Sequence, residues 1–487
     1  MPKEIKSLKS RRNFLKNSAA LAAGLYILPR HVLGGKGFTA PSDKLLIAGI
    51  GVGGKGESDL WNFYQGGKAE IAFLCDVDEK RAEKTRGRFP KAKFYNDYRE
   101  MITKEAKNFD AVSVSGPDHV HGIQALAAIQ AGKHVYVQKP LTHTIHEARV
   151  LTEAAEKNKV VTQMGNQGAS GEGVRLMQEW YNAGLIGEVH TVYVWTDRPV
   201  WPQGIPWSTD KVKVPDTLKW DLWLGPAPQR DYVNKLVPFN WRGWWDFGTG
   251  ALGDMGCHLM EAPYKVLGLT YPNEASCSIG SVYVDEFQRG YFPESCPPSS
   301  HVVLNFKRGE GKPDVKMVWM DGGIQPERPE ELGSNEVMGD GGNGIILVGS
   351  KGKIMGDVYG ANPRLLPKTM MENLSVPKTL YRVPGEEAGH YTQWVDACIG
   401  GYGSKEASRL SAPFSISGPL TEAVLMGNLA IRSYDMRTSR GDGRFNYPGR
   451  GIKLLWDAPN LQVTNFKEAN QFVTKNYREG FGLNYKG

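Results

Sequence analysis

The sequence predicts an α/β chain: a doubly wound parallel-sheet domain first, then an α/β domain with a large, mostly antiparallel open sheet. Three observations carry this. Short apolar runs alternate with helical patterns from Lys44 to about residue 165. A glycine-rich turn interrupts the first of these patterns, in "KLLIAGIGVGGKG". Past residue 165 the runs switch to strict apolar–polar alternation, as in strands with one wet face.

The first forty residues stand apart. They hold eight Lys/Arg and one acid, so the leader carries the whole formal net charge of +7. The body is neutral, which excludes a nucleic-acid partner read from charge alone. Paired Arg11 and Arg12 precede an apolar run from Ser18 to Leu28, too short to span a bilayer. Residues 1–40 are read as a twin-arginine export signal, giving a periplasmic protein, membrane-anchored if the signal stays uncleaved. The five cysteines are scattered, without a C-x-x-C pair, and indicate neither a disulfide framework nor a zinc cage.

Residues 43–165 form the first domain. Its strands are read from "KLLIAGI", "AEIAFLCDVD", "DAVSVSGPDHVH", "HVYVQKP" and "KVVTQMG", with helices over Glu79–Arg88, His121–Ala131 and Ile145–Lys157 between them. Residues 166–440 form the second, with strands in "SHVVLNFKRG", "VKMVWMDGG" and "GIILVGSKGKIMG" and a helix near 421–436. Residues 441–487 read as a polar arm without periodicity.

The glycines satisfy G-x-G-x-x-G best as Gly51, Gly53 and Gly56, with Gly54 also in the turn. Lying between a strand and a helix, they let a pyrophosphate approach the backbone and the helix N-terminus. Asp76, twenty residues after Gly56, ends the next strand and suits the ribose hydroxyls of NAD. Lys80 and Arg81 nearby keep NADP open. Ser115, Pro117, Gln138 and Asn166, at strand ends, complete the candidate cofactor contacts.

Lys139 follows a strand at the ligand-binding edge of such a sheet, and Asp254 and His258 lie one helical turn apart. Oxidising an alcohol needs a base, here His258, an acid to orient it, Asp254, and a cation for the developing alkoxide, Lys139. Eight of the thirteen tryptophans fall within 195–245. Trp241, Trp244 and Trp245 offer faces to a sugar ring, with Arg198, Asp246 and Arg242 for its hydroxyls. A metal site built from His119, His121 and His143 with Asp254 and His258 is the lesser reading; polar lining of a sugar pocket is preferred and no metal is expected.

The stretches "GVGGKG", "CDVD", "YNDYREM", "GPDHVH", "HVYVQKPLTHTIHEA" and "GALGDMGCHLME", over roughly 44–435, resemble the glucose–fructose oxidoreductase / inositol dehydrogenase / MocA (Gfo/Idh/MocA) family. The resemblance implies a Rossmann domain followed by an α/β domain whose sheet walls the active site and often forms an oligomer interface. It places the family's lysine on Lys139, its Asp-x-x-x-His on Asp254 and His258, and a histidine near the nicotinamide on His121. Gln138 stands where the family usually has Glu, which removes an anion from beside Lys139. The expected function is a nicotinamide-dependent oxidoreductase acting on a carbohydrate, with tightly held NAD and a redox-neutral cycle. Glycoside cleavage by oxidation, elimination and reduction is one form of that cycle. The alternatives are net sugar oxidation and, outside enzymes, an exported sugar-binding protein with a vestigial nucleotide fold.

Overall fold

A computed structural model describes residues 43–483, so the leader expected at 1–40 lies outside the described residues. The first domain is a six-stranded parallel sheet: β1 (Leu45–Ile50), β2 (Ala69–Cys75), β3 (Lys93–Tyr95), β4 (Ala111–Val114), β5 (His134–Gln138) and β6 (Thr162–Gly165). Their order is β3-β2-β1-β4-β5-β6. β1 is apolar on both faces because helices cover both sides. The chain reverses its direction across the sheet between β1 and β4, which opens a crevice at their carboxyl ends.

The linking helices are α1 (Lys55–Gln65), α2 (Glu79–Arg88), α3 (Tyr98–Glu105), α4 (Asp118–Gln130) and α5 (Ile145–Asn158). Local chemistry fixes their starts. Asp78 accepts the amides of Lys80 and Arg81 at the head of α2. Thr144 and Glu147 form a reciprocal capping box on α5.

Beyond lie α6 (Glu172–Asn182), the short α7 (Trp220–Leu224), α8 (Gly250–Leu267), α9 (Glu386–Gly400) and α10 (Phe414–Tyr434). The second sheet has nine strands. Its one parallel pair joins Val189–Trp195 to Val315–Met320; every other pairing is antiparallel. Among the described residues no helix is long and apolar enough to cross a membrane.

Two features cross the expected domain boundaries. α9 returns to the first sheet, where Trp394 packs on Phe63 at 4.9 Å and on Tyr136 at 5.5 Å. It covers apolar surface that residues 43–165 alone would leave wet. The C-terminal arm is a strap as well. Leu454–Asp457 extends the second sheet beside Glu274–Ile279. The chain then runs back: Lys475 pairs with buried Glu147 at 2.9 Å, and Arg478 donates to the Gly225 carbonyl at 2.9 Å.

Candidate active site

β1 ends at Ile50 and α1 begins at Lys55, so the turn between them is glycine-rich and points the helix N-terminus at the crevice. Gly51 has φ +73°, and a Cβ there would stand 2.6 Å from the Gly116 amide nitrogen. Gly56 is buried beneath the turn, where a Cβ would strike the Gly51 carbonyl. These bare backbones leave a cradle that side chains would fill. Above it lies a cleft of about 380 Å³, walled by Gly51, Gly53, Asp76, Ser115, Pro117 and Gln138, and reaching Lys139 and His258. The donor set and the cradle fit a dinucleotide.

Asp76 serves the loop before any ligand. Its Oδ2 accepts the Val52 and Gly53 amides at 2.9 and 3.2 Å, and its Oδ1 accepts the Asp78 amide at 2.9 Å. Burial raises its pKa, and those amides oppose the rise. Arg81 lies against Gly53 and Gly54 at the same end.

At the other end, α8 carries Asp254 and His258 on one face of the helix. Lys139 follows β5 and donates to the Asp254 carboxylate and to its carbonyl, each at 2.7 Å. Arg242 stands 3.5 Å from the same carboxylate. Burial works to raise the Asp254 pKa, but Lys139 and Arg242 outweigh it and hold the group below the usual carboxylate range. His258 is pulled well below 6.5, first by burial and then by Lys139. Its ring therefore stays neutral, with a buried Nδ1 that has no partner among the described residues. The Tyr359 ring packs edge-on against it at 4.6 Å, from a left-handed backbone position (φ +63°).

One expected contact is different: Asp254 is bonded to Lys139, not to His258. The anion that faces Lys139 comes from α8. Gln138 donates to Asp59 at 2.8 Å. Asp59, fully buried on α1, also accepts from Ser115 at 2.9 Å and from Lys55. Lys55 in turn donates to Tyr391 of α9 at 2.8 Å. The sequence reading missed this network. Lys55 and Asp59 stand four apart and were legible as a pair, but Tyr391 comes from 336 positions away.

Several candidates lie off the cleft. His121 is buried between the carbonyls of Gly116 and Pro140, 2.8 Å from each, and braces two strand-end loops. Asn166 is buried as well and ties the end of β6 to the Cys257 carbonyl and Glu261 on α8. Of the candidate sugar contacts Trp241 and Arg242 line the wall. Trp244 packs on Trp207 at 4.6 Å, in a satellite core with Trp223 and Phe247. Trp245 and Arg198 also lie away from this cleft. The aromatic density of 195–245 is thus mostly packing, because a strand-poor segment must build its own core. His119 meets the Trp223 carbonyl and His143 the Gly248 carbonyl. Among the described residues no three His, Cys, Asp or Glu side chains are grouped to hold an ion. The described cysteines are all free.

A further wall comes from the strap. Phe481 reaches the cleft beside Asp97 and Tyr98, only 7% exposed, between the guanidinium groups of Arg99 at 4.2 Å and Arg478 at 4.7 Å.

Comparison with known proteins places this geometry. Residues 45–166 match the oxidoreductase family model for an NAD-binding Rossmann fold, and residues 186–279 match the same family's C-terminal alpha/beta domain. An alpha-N-acetylgalactosaminidase from Shewanella oneidensis is 28% identical over 203 residues, 37% of this chain and 44% of that protein. A D-glucoside 3-dehydrogenase from Escherichia coli is 25% identical over 256 residues, 52% of this chain and 61% of that protein. The chain thus spans about half the length of the curated relatives it matches. The WlbA dehydrogenase of Bordetella pertussis, solved with NADH and UDP-GlcNAcA, shares the fold. It matches with a TM-score of 0.51 at 16% identity, over 79% of this chain and 95% of that one. Over residues 45–166 and 186–279 the chain thus resembles, in order, the NAD-binding Rossmann domain and the C-terminal alpha/beta domain of the Gfo/Idh/MocA oxidoreductases.

Proposed function

We propose that the protein is an NAD-dependent oxidoreductase acting on a ring hydroxyl of a carbohydrate or glycoside. One observation carries this reading: Lys139 and a neutral His258 line the nucleotide cleft together, with Asp254 paired to Lys139. Bound nicotinamide would supply the hydride acceptor and donor. The residues of the chain manage the proton and the charge. His258 takes the hydroxyl proton, which its depressed pKa permits at neutral pH. Lys139 stabilises the oxygen as charge builds on it. Asp254 holds the ammonium in place by two contacts, and Gln138, anchored to Asp59, orients the strand end that carries it. Trp241 gives the sugar an apolar face.

We further propose that the cofactor stays bound through a redox-neutral cycle. The strap supports this reading, because Phe481 closes one end of the cleft. The galactosaminidase relative favours the glycoside-cleaving form, in which a transient ketone acidifies the neighbouring carbon. Export through the Arg11–Arg12 leader to the periplasm, with assembly into a homo-oligomer, completes the proposal; fractionation and sedimentation test those two points.

The test of the activity is absorbance near 340 nm after adding a glycoside panel to cofactor-loaded protein. A signal that rises and decays supports internal recycling, and a lasting signal supports net oxidation. No signal with any sugar refutes the enzymatic reading and favours a binding role.

A further inference from the structure

A second cleft, of about 330 Å³, lies in the C-terminal domain between residues 289–298 and the last turn of α10. It shares no lining residue with the nucleotide cleft. Three arginines line it, Arg289, Arg432 and Arg437, against one carboxylate, Asp435. That carboxylate is already engaged, by Arg289 at 2.9 Å and by Arg450 at 3.2 Å. The Nε of Arg289 is nevertheless buried and unpartnered among the described residues.

The side chains of Arg432 and Arg437 have neither hydrogen bond nor ion pair among the described residues. Each lies instead on aromatic faces. Arg432 sits 4.1 Å from the Phe472 ring and 5.5 Å from Trp245. Arg437 sits 3.6 Å from Tyr291 and 4.0 Å from Phe445. Burial pulls the Arg432 pKa down to about 10, with Cys296 and Asp246 opposing. A secluded guanidinium is costly unless an anion meets its fork. Aromatic rings offset part of that cost and leave its N–H groups open to the cleft.

We propose that this cleft binds an acidic sugar: a ring bearing a carboxylate or a sulfate ester. The anion bridges Arg432 and Arg437, whose planar forks match its oxygens. The ring packs on the aromatic wall that Trp245 and Phe292 share. A neutral sugar lacks the charge, and an inorganic anion lacks the ring. The site is separate from the proposed reaction, which uses the first cleft. The segment Trp241–Trp245 is the wall between the two, with Trp241 facing one and Trp245 the other.

The experiment is titration calorimetry on the full chain saturated with NADH, at fixed ionic strength. The probes are glucuronate, glucose 6-sulfate, glucose and sodium sulfate. The expected result is that glucuronate or glucose 6-sulfate binds at least about tenfold tighter than glucose or sulfate, and the tighter of the two names the anion. Arg432→Gln and Arg437→Gln each weaken that binding by about tenfold or more, as loss of a charge-assisted bond does, with NADH affinity unchanged. Equal binding by the wild type and both variants would place the ligand elsewhere and overturn the proposal. Failure of both acidic sugars to bind overturns it too, as does sulfate binding as tightly as they do. Should Arg432→Gln fail to fold, Arg437→Gln, half-buried on the rim, decides alone.

Discussion

Replacing Phe481 by alanine removes one wall of the nucleotide cleft while leaving Lys139, Asp254 and His258 in place. The ring is 7% exposed, wedged between Arg99 and Arg478, and borders the cleft with Asp97 and Tyr98. Asp76 lines the same cleft, so this is the end where a Rossmann fold places the adenosine ribose. A base packed on an aromatic ring gains about 1–3 kcal/mol. At about 1.4 kcal/mol per tenfold, Phe481→Ala weakens NADH binding by about 5- to 150-fold. Turnover at saturating cofactor stays near wild type, because the ring touches none of the groups that handle the proton. The assay is NADH fluorescence titration, with a thermal melt to follow any loss of the two guanidinium contacts. A dissociation constant within about twofold of wild type, in a folded variant, would refute the role given to the strap.

Lys139→Met removes the cation beside the reacting oxygen, and turnover falls by about 10²–10³ with NADH binding retained. Lys139 also depresses His258, so the acid limb of the pH–rate profile moves upward in that variant; a limb that stays put would contradict the pairing. Gly51→Ala forces a Cβ onto the Gly116 amide at φ +73° and abolishes NADH binding, measured by the same titration. His119 and His390 are buried and neutral, each lowered to about 3, first by burial. The unfolded chain binds protons that these rings refuse, so stability falls as pH drops from about 6.5 toward 3. At pH 5 the loss is about 2 kcal/mol per ring, read by chemical denaturation. Glutamine at both positions flattens that slope.

The first domain was legible because its signals are local. β1, the glycine turn and α1 occupy one continuous stretch, and five of the six strands are apolar runs; the sixth, β3, is three residues that begin with an exposed lysine and gave no such signal. The Asp254–His258 pair was legible for the same reason, since a helix places residues four apart on one face. The tryptophans were harder. Composition announces aromatic surface and says nothing of whether a ring faces a ligand or another ring, and Trp244 on Trp207 shows how a loop-rich segment uses them to build a core. His121 and Asn166 were drawn to the cofactor by their places at strand ends, but His121 meets the carbonyls of two loops and Asn166 meets a carbonyl and a carboxylate of α8.

By itself the sequence determined the nucleotide turn, the parallel sheet behind it and the lysine at its edge, because backbone freedom and apolar periodicity act over a few residues. Tertiary structure alone decided which carboxylate Lys139 would meet, how Asp59 and Tyr391 join, and where Phe481 comes to rest. Those contacts depend on segments tens to hundreds of residues apart, brought together by burial of apolar surface that no short window of sequence can measure.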